Sequence, residues 1–193
     1  MKIARKPSTA LVPTPVVLLS VNGEGGTPNM ITLAWVGVVC SAPPMLSVAI
    51  RPSRHSYGLV IKAREFVVNI PRAGQVAEVD TAGVWSGRDH DKFKELGFTA
   101  APALEVAAPL IAECPINLEC VVKHQLSLGA HDVFIAEIVR THFEEDLLDS
   151  RGRVKTAQLD VMAYVEGEYW SLGERIGGYG QAAKAAMAAG RKG

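Results

Sequence analysis

The stretch that most constrains this chain runs from Asn29 to Tyr57, NMITLAWVGVVCSAPPMLSVAIRPSRHSY. It reads as two apolar strands, Asn29 to Cys40 and Met45 to Ile50, joined by Ser41-Ala42-Pro43-Pro44. Their Val, Ile, Leu, Met and Ala content places them in a core. A cationic, hydroxyl-rich turn follows, Arg51-Pro52-Ser53-Arg54-His55-Ser56. Charged groups are costly to bury alone, so this turn needs a partner if it is to leave water. Apolar strands running into clustered donors suggest a pocket for a molecule with a flat apolar part and an anionic end.

The flanking segments read as more strands with short helices between them. Pro15 to Val21 is a strand that pairs with the Asn29 strand through the glycine-rich turn Asn22 to Pro28. That turn precedes a strand rather than a helix and lacks the phosphate-loop lysine, so it reads as a hairpin turn. Ser53 is placed to cap a helix carrying Tyr57, Val60 and Ile61 and ending near Lys62-Ala63-Arg64. Glu65 to Ile70 is a strand closed by Pro71, and Gln75 to Ala82 a short helix. Gly83 to Phe98 is a polar loop anchored by Trp85 and Phe93. It runs into a helix over Asp91 to Leu96 that Gly97 ends. Leu110 to Cys114, Ile116 to Leu128 and His131 to Phe143 are further strands, the last two turning at Gly129-Ala130. Ala163 to Val165 and Glu168 to Leu172 form a small hairpin, and Tyr179 to Gly193 is an Ala-rich tail with helical potential.

About seven strands, mostly in hairpins, with no βαβ alternation and no internal repeat, favour a mainly β antiparallel barrel with short inserted helices. The 48% hydrophobic content suffices for one sizeable core. We divide the chain into a domain over 1–175 and a tail over 176–193. Twenty basic residues balance twenty acidic ones, which argues against a nucleic-acid protein driven by bulk charge. No apolar run approaches the ~20 residues that span a bilayer, and the N-terminus has no signal-peptide core. Three cysteines without a C-x-x-C pair read as reduced thiols of a cytoplasmic protein.

Arg51, Ser53, Arg54, His55, Ser56 and Lys92 together could hold a phosphate, with hydroxyls and backbone N–H groups at a helix start and arginine adding charge-assisted bonds. A solvated basic turn beside an ordinary helix explains the same residues equally well. Trp35 is either a core or interface aromatic or a wall for a flat ring. Asn29 is either a turn residue or an amide for a heterocycle edge. The five histidines do not converge on a zinc pattern, and no hydrolase, metalloprotease or Rossmann signature is present.

The succession N-x-x-T-x-A-W at Asn29 to Trp35, the S-A-P-P turn, R-P-S-R-H-S, E-F-V-V-N-I-P and S-G-x-x-x-D-K-F at Ser86 to Phe93 resembles the flavin reductase-like family of FMN-binding split barrels. Within that family it is most similar to the flavoredoxin-like branch. The likeness runs from about Pro13 to Leu172. It implies an antiparallel split β-barrel that forms a homodimer with FMN near the subunit interface. By the same resemblance, Asn29, Thr32, Ala34 and Trp35 would line the flavin and its ribityl chain. Arg51, Arg54, His55, Ser56 and Lys92 would surround its phosphate, and His131 and Tyr164 would approach the ring. The activity implied is reduction of flavin or another small acceptor with NADH or NADPH through bound FMN. The alternatives are an electron carrier between redox proteins and a flavin-storage module. No protein acid or base is required, because the flavin carries the redox chemistry.

Overall fold

The computed structural model describes residues 1–190. In chain order the strands and helices begin with β1 (Thr14–Pro15), β2 (Val17–Asn22), β3 (Pro28–Leu33), β4 (Val36–Ser41) and β5 (Pro44–Ile50). Then come α1 (His55–Ala63), β6 (Glu65–Ile70), α2 (Val76–Val84) and α3 (Lys92–Glu95). The chain continues through β7 (Ala100–Ala101), β8 (Leu110–Ile111), β9 (Ile116–Ser127) and β10 (Asp132–Phe143). It finishes with β11 (Met162–Val165), β12 (Glu168–Ser171) and α4 (Gln181–Gly190).

Seven strands form one antiparallel sheet in the order β3-β2-β6-β9-β10-β5-β4. Its two outer strands, β3 and β4, are consecutive in the chain, with only Ala34 and Trp35 between them. Laid flat, seven strands would hold their edges roughly 29 Å apart, at ~4.8 Å per strand. Two linking residues reach only about 11 Å, at ~3.8 Å per Cα step. The sheet therefore curls until its edges meet, which makes it a barrel. At the seam the Ala49 N–H donates to the Trp35 carbonyl at 3.0 Å.

Strand periodicity sorts the core into two layers. Val17, Leu19 and Val21 of β2 point into the barrel with Leu46, Phe66 and Phe134. Leu18, one step out of phase, faces the other way with Met30, against Val79 and Ala82 of α2, Phe93 of α3 and Met162 of β11. β2 and β3 are thus covered on both faces, which explains why they read as nearly unbroken apolar runs. The helices that cover them carry part of the site described below.

Several elements differ from the sequence reading. The single strand expected over Asn29 to Cys40 is two, because the chain turns the barrel corner at Ala34-Trp35. The run from Pro15 splits, with β1 pairing to β11 in a separate small sheet. Leu110 to Cys114 pairs only over β8, after which the Cys114 N–H turns back to the Ile111 carbonyl. Helix α1 is capped by Arg54 rather than Ser53, and no side chain caps its first turn. The last three residues of the Ala-rich tail lie outside the described residues, and the part before them is α4. Among the described residues, no helix is long and apolar enough to cross a membrane.

A buried polar knot fastens the loop between β7 and β9 to the barrel. The Ser20 hydroxyl donates to the Pro109 carbonyl and accepts from the Asn69 amide at 2.9 Å. Asn69 Oδ1 in turn accepts from the Ile111 N–H and from Asn117. Ser20→Ala leaves the Pro109 carbonyl without that donor in a fully buried place. It should cost about 1–2 kcal/mol in urea unfolding, with the slope against urea unchanged.

Candidate functional site

The barrel seam opens on a cavity of about 360 Å³. Thr32, Ala34 and Trp35 come to it from the end of β3 and the corner, Arg51 from the end of β5, His131 from the start of β10 and Tyr164 from β11. Asp132, next to His131, pairs with Ile50, next to Arg51, across the β10–β5 ladder. That register brings His131 and Arg51 together, and Arg51 Nε donates to His131 Nε2 at 3.3 Å. Guanidinium is a donor only, so this ring nitrogen is the acceptor and His131 is neutral in this arrangement. Burial, and then the Arg51 charge, hold its pKa below the ordinary histidine value. The Trp35 ring lies against it, with centroids 4.5 Å apart and planes tilted by 38°. The opposite wall is Tyr164 with Tyr169 edge-on at 5.6 Å. Burial and the hydrogen bond from Tyr169 to Asp80 push that phenol up to about 12, so it remains a donor at neutral pH.

A second cavity of about 100 Å³ adjoins the first through Ile31 and Arg54, which line both. It is a cradle of Ser53, Arg54, His55 and Ser56 from the start of α1, Ser86 and Gly87 from the following loop, and Lys92 from α3. Lys92 is only 3% exposed. Its Nζ donates to the carbonyls of Met30 and Ala82, at 2.8 and 2.7 Å. An ammonium has three donors, so one remains. Among the described residues no carboxylate forms an ion pair with it. Burial, then the nearby Arg54 charge, lower its pKa to about 8. Beside it, burial and the charges of Arg88 and Lys92 lower the His55 pKa as well. A buried cation facing a second cation, hydroxyls and an uncapped helix start has the donor set of an anion site.

Residues 9–172 match the model of the Flavin reductase like domain family. The chain belongs to that family. Among solved structures, this flavin reductase like protein is similar to flavoredoxin of Desulfovibrio vulgaris (Miyazaki F). The two are 30% identical with a TM-score of 0.88, over 95% of this chain and 100% of that one. Flavoredoxin from Methanosarcina acetivorans is also 30% identical, with a TM-score of 0.89 over 97% of this chain and 100% of that one. A relative from Rhizobium rhizogenes, FMN reductase (NADH) RutF 2, is 28% identical over 126 residues, 64% of this chain and 69% of that one. The seven-stranded antiparallel barrel is the split-barrel fold of these structural neighbours.

The structure gathers Thr32, Ala34, Trp35, Arg51, His131 and Tyr164 around the large cavity and His55, Ser56 and Lys92 in the cradle, with Arg54 between. Arg51 sits with His131 rather than in the cradle. Asn29 lines neither cavity, and its amide donates to Ser56 Oγ at 2.8 Å from behind the cradle. Thr32 already spends its hydroxyl on the Val79 carbonyl. Asp80, Gly83 and Tyr169 also line the large cavity and were not anticipated. They come from a helix and a late hairpin whose local sequence carries no mark of a site. Ser86 and Gly87 were signalled by the S-G-x-x-x-D-K-F motif, though not as site residues.

Proposed function

We propose that this flavin reductase like protein binds FMN and is an oxidoreductase that takes electrons from NADH or NADPH and passes them to flavin or another small acceptor. The observation that carries the reading is Lys92, a buried cation with no ion-pair partner among the described residues, in a phosphate-sized cradle beside an aromatic-walled cavity. Bound FMN would supply the hydride and electron chemistry through its isoalloxazine ring. The chain's own residues bind and orient. Lys92, Arg54, Ser56 and the N–H groups of α1 would grip the phosphate. Trp35 and Tyr164 would lie along the ring system. His131, kept neutral by Arg51, would present a fixed polar edge at the mouth. The name of the Rhizobium rhizogenes relative supports NADH as donor.

The proposal includes a homodimer and a cytoplasmic setting. Trp35 is 43% exposed beside Val38 and Val39, at 77% and 52%. A mostly apolar cavity of about 450 Å³, lined by Leu11, Val36, Ser47 and Val133, shares Ala34, Trp35 and Ala49 with the flavin cavity. A second copy over this side would complete the wall. The three cysteines are unpaired, as in a reducing compartment. The working unit is residues 1–175, with 176–193 as an appended tail.

A second reading, an electron carrier between protein partners, is favoured by the likeness to two flavoredoxins. One experiment separates the two. Protein purified in the presence of FMN should be yellow, and anaerobic NADH or NADPH should bleach it within seconds. Slow bleaching by both nucleotides with fast reduction by a reduced protein donor favours the carrier. Colourless protein after dialysis against excess FMN rejects both.

A further inference from the structure

Three cavities lie in sequence here. The large cavity and the cradle share Ile31 and Arg54. The cradle and a third cavity of about 380 Å³, opening between Glu24, Leu59, Arg88 and Asp91, share His55 and Gly87. A ligand threading all three would be a ring system, a diphosphate and a nucleoside, which is the shape of FAD. Between cradle and third cavity, however, three residues are packed in contact. A Cβ placed on Gly87 would lie 2.0 Å from Asn29 Oδ1 and 3.1 Å from His55 Cδ2, so the Gly87 backbone is pressed against both side chains. Asn29 is 7% exposed, and its Nδ2 is tied to Ser56 Oγ at 2.8 Å. The amide can neither swing toward the cradle nor withdraw without breaking that bond.

We infer that Asn29, clamped between Ser56 and Gly87, is a specificity-determining partition that makes the cradle a dead end for a terminal phosphate monoester and so selects FMN against FAD. The inference rests on the FMN reading above and adds a discrimination to it. A monoester phosphate offers three free oxygens to the surrounding donors. In FAD one of those oxygens is a bridge to a second phosphate and needs an exit. The direct exit is closed by the partition. The exposed rim at Ser53 and Arg54 would draw the phosphate away from buried Lys92.

The test is equilibrium dialysis of the full chain as purified against graded FMN, FAD or riboflavin, read by flavin absorbance. The natural chain should hold FMN at least about tenfold more tightly than FAD, the gap left by one lost charge-assisted contact. Asn29→Ser shortens the partition and should tighten FAD at least about tenfold without tightening FMN. If circular dichroism shows that this variant does not fold, His55→Ala opens the same wall and carries the same expectation. The inference is overturned if FAD binds the natural chain within threefold of FMN. It is also overturned if FAD affinity is unchanged in the folded variants while FMN still binds. FMN held no more tightly than riboflavin would instead show that the cradle takes no phosphate, which defeats the underlying reading.

Discussion

Replacing Lys92 by Met and Arg54 by Ala together should weaken FMN binding by two to three orders of magnitude and riboflavin by less than about threefold, since each charge-assisted bond contributes roughly 1.5–3 kcal/mol. Only FMN carries the phosphate, so the ratio of the two dissociation constants isolates the cradle. Methionine keeps the Lys92 stem packed, although the Met30 and Ala82 carbonyls lose their donors. The measurement is isothermal titration with both flavins, and equal loss of the two would place the phosphate elsewhere. A pH dependence follows from the same lysine. Its folded pKa of about 8 lies below the ordinary 10.5. Between those values the unfolded chain holds a proton that the flavin-free folded chain has released. Stability of the flavin-free protein should therefore rise as pH climbs from about 8 to 10.5, by linkage. A bound phosphate favours the charged ammonium, so FMN affinity should fall over that window. Lys92→Met should abolish this part of both trends.

The second large effect is expected at Gly87. A methyl there would overlap Asn29 Oδ1, which is buried and anchored to Ser56. Gly87→Ala should cost about 1–3 kcal/mol of stability through overpacking. It should also weaken FMN about tenfold or more, because the displaced amide drags Ser56 out of the cradle, a lost bond of about 1–2 kcal/mol. Thermal melting with and without FMN measures both quantities. Adding Asn29→Ala to Gly87→Ala should restore most of the melting temperature, since it removes the colliding group. Failure of that rescue would locate the strain at His55 instead.

Much of the barrel was legible because β2, β3, β5, β6 and β10 are runs of β-branched and aliphatic residues bounded by turn formers. The corner at Ala34-Trp35 was not. Apolar character continues through it from Leu33 to Val36 and on into Val38 and Val39, which are exposed in the fold, so composition gives no sign that the run changes direction and leaves the core. Ser53 reads as a helix cap because local propensity favours serine there. In the fold Ser53 is exposed at the rim of the cradle and Arg54 takes the cap position. Lys92 follows Asp91 in a polar loop and looks like a solvated charge. Its burial comes from β3 and α2 closing over it, contacts 62 and 10 residues away in the chain. Asn29, Arg54 and Lys92 stand far apart in the chain, so local spacing could not group them, and the grouping came from the resemblance in motif order.

The barrel fastens at Ala34 and Trp35, two residues that also wall the large cavity. On the proposed reading, a bound flavin would lie against that clasp. Loading should therefore stiffen the staves on either side as one, so that cofactor supply also governs how long the folded chain survives proteolysis.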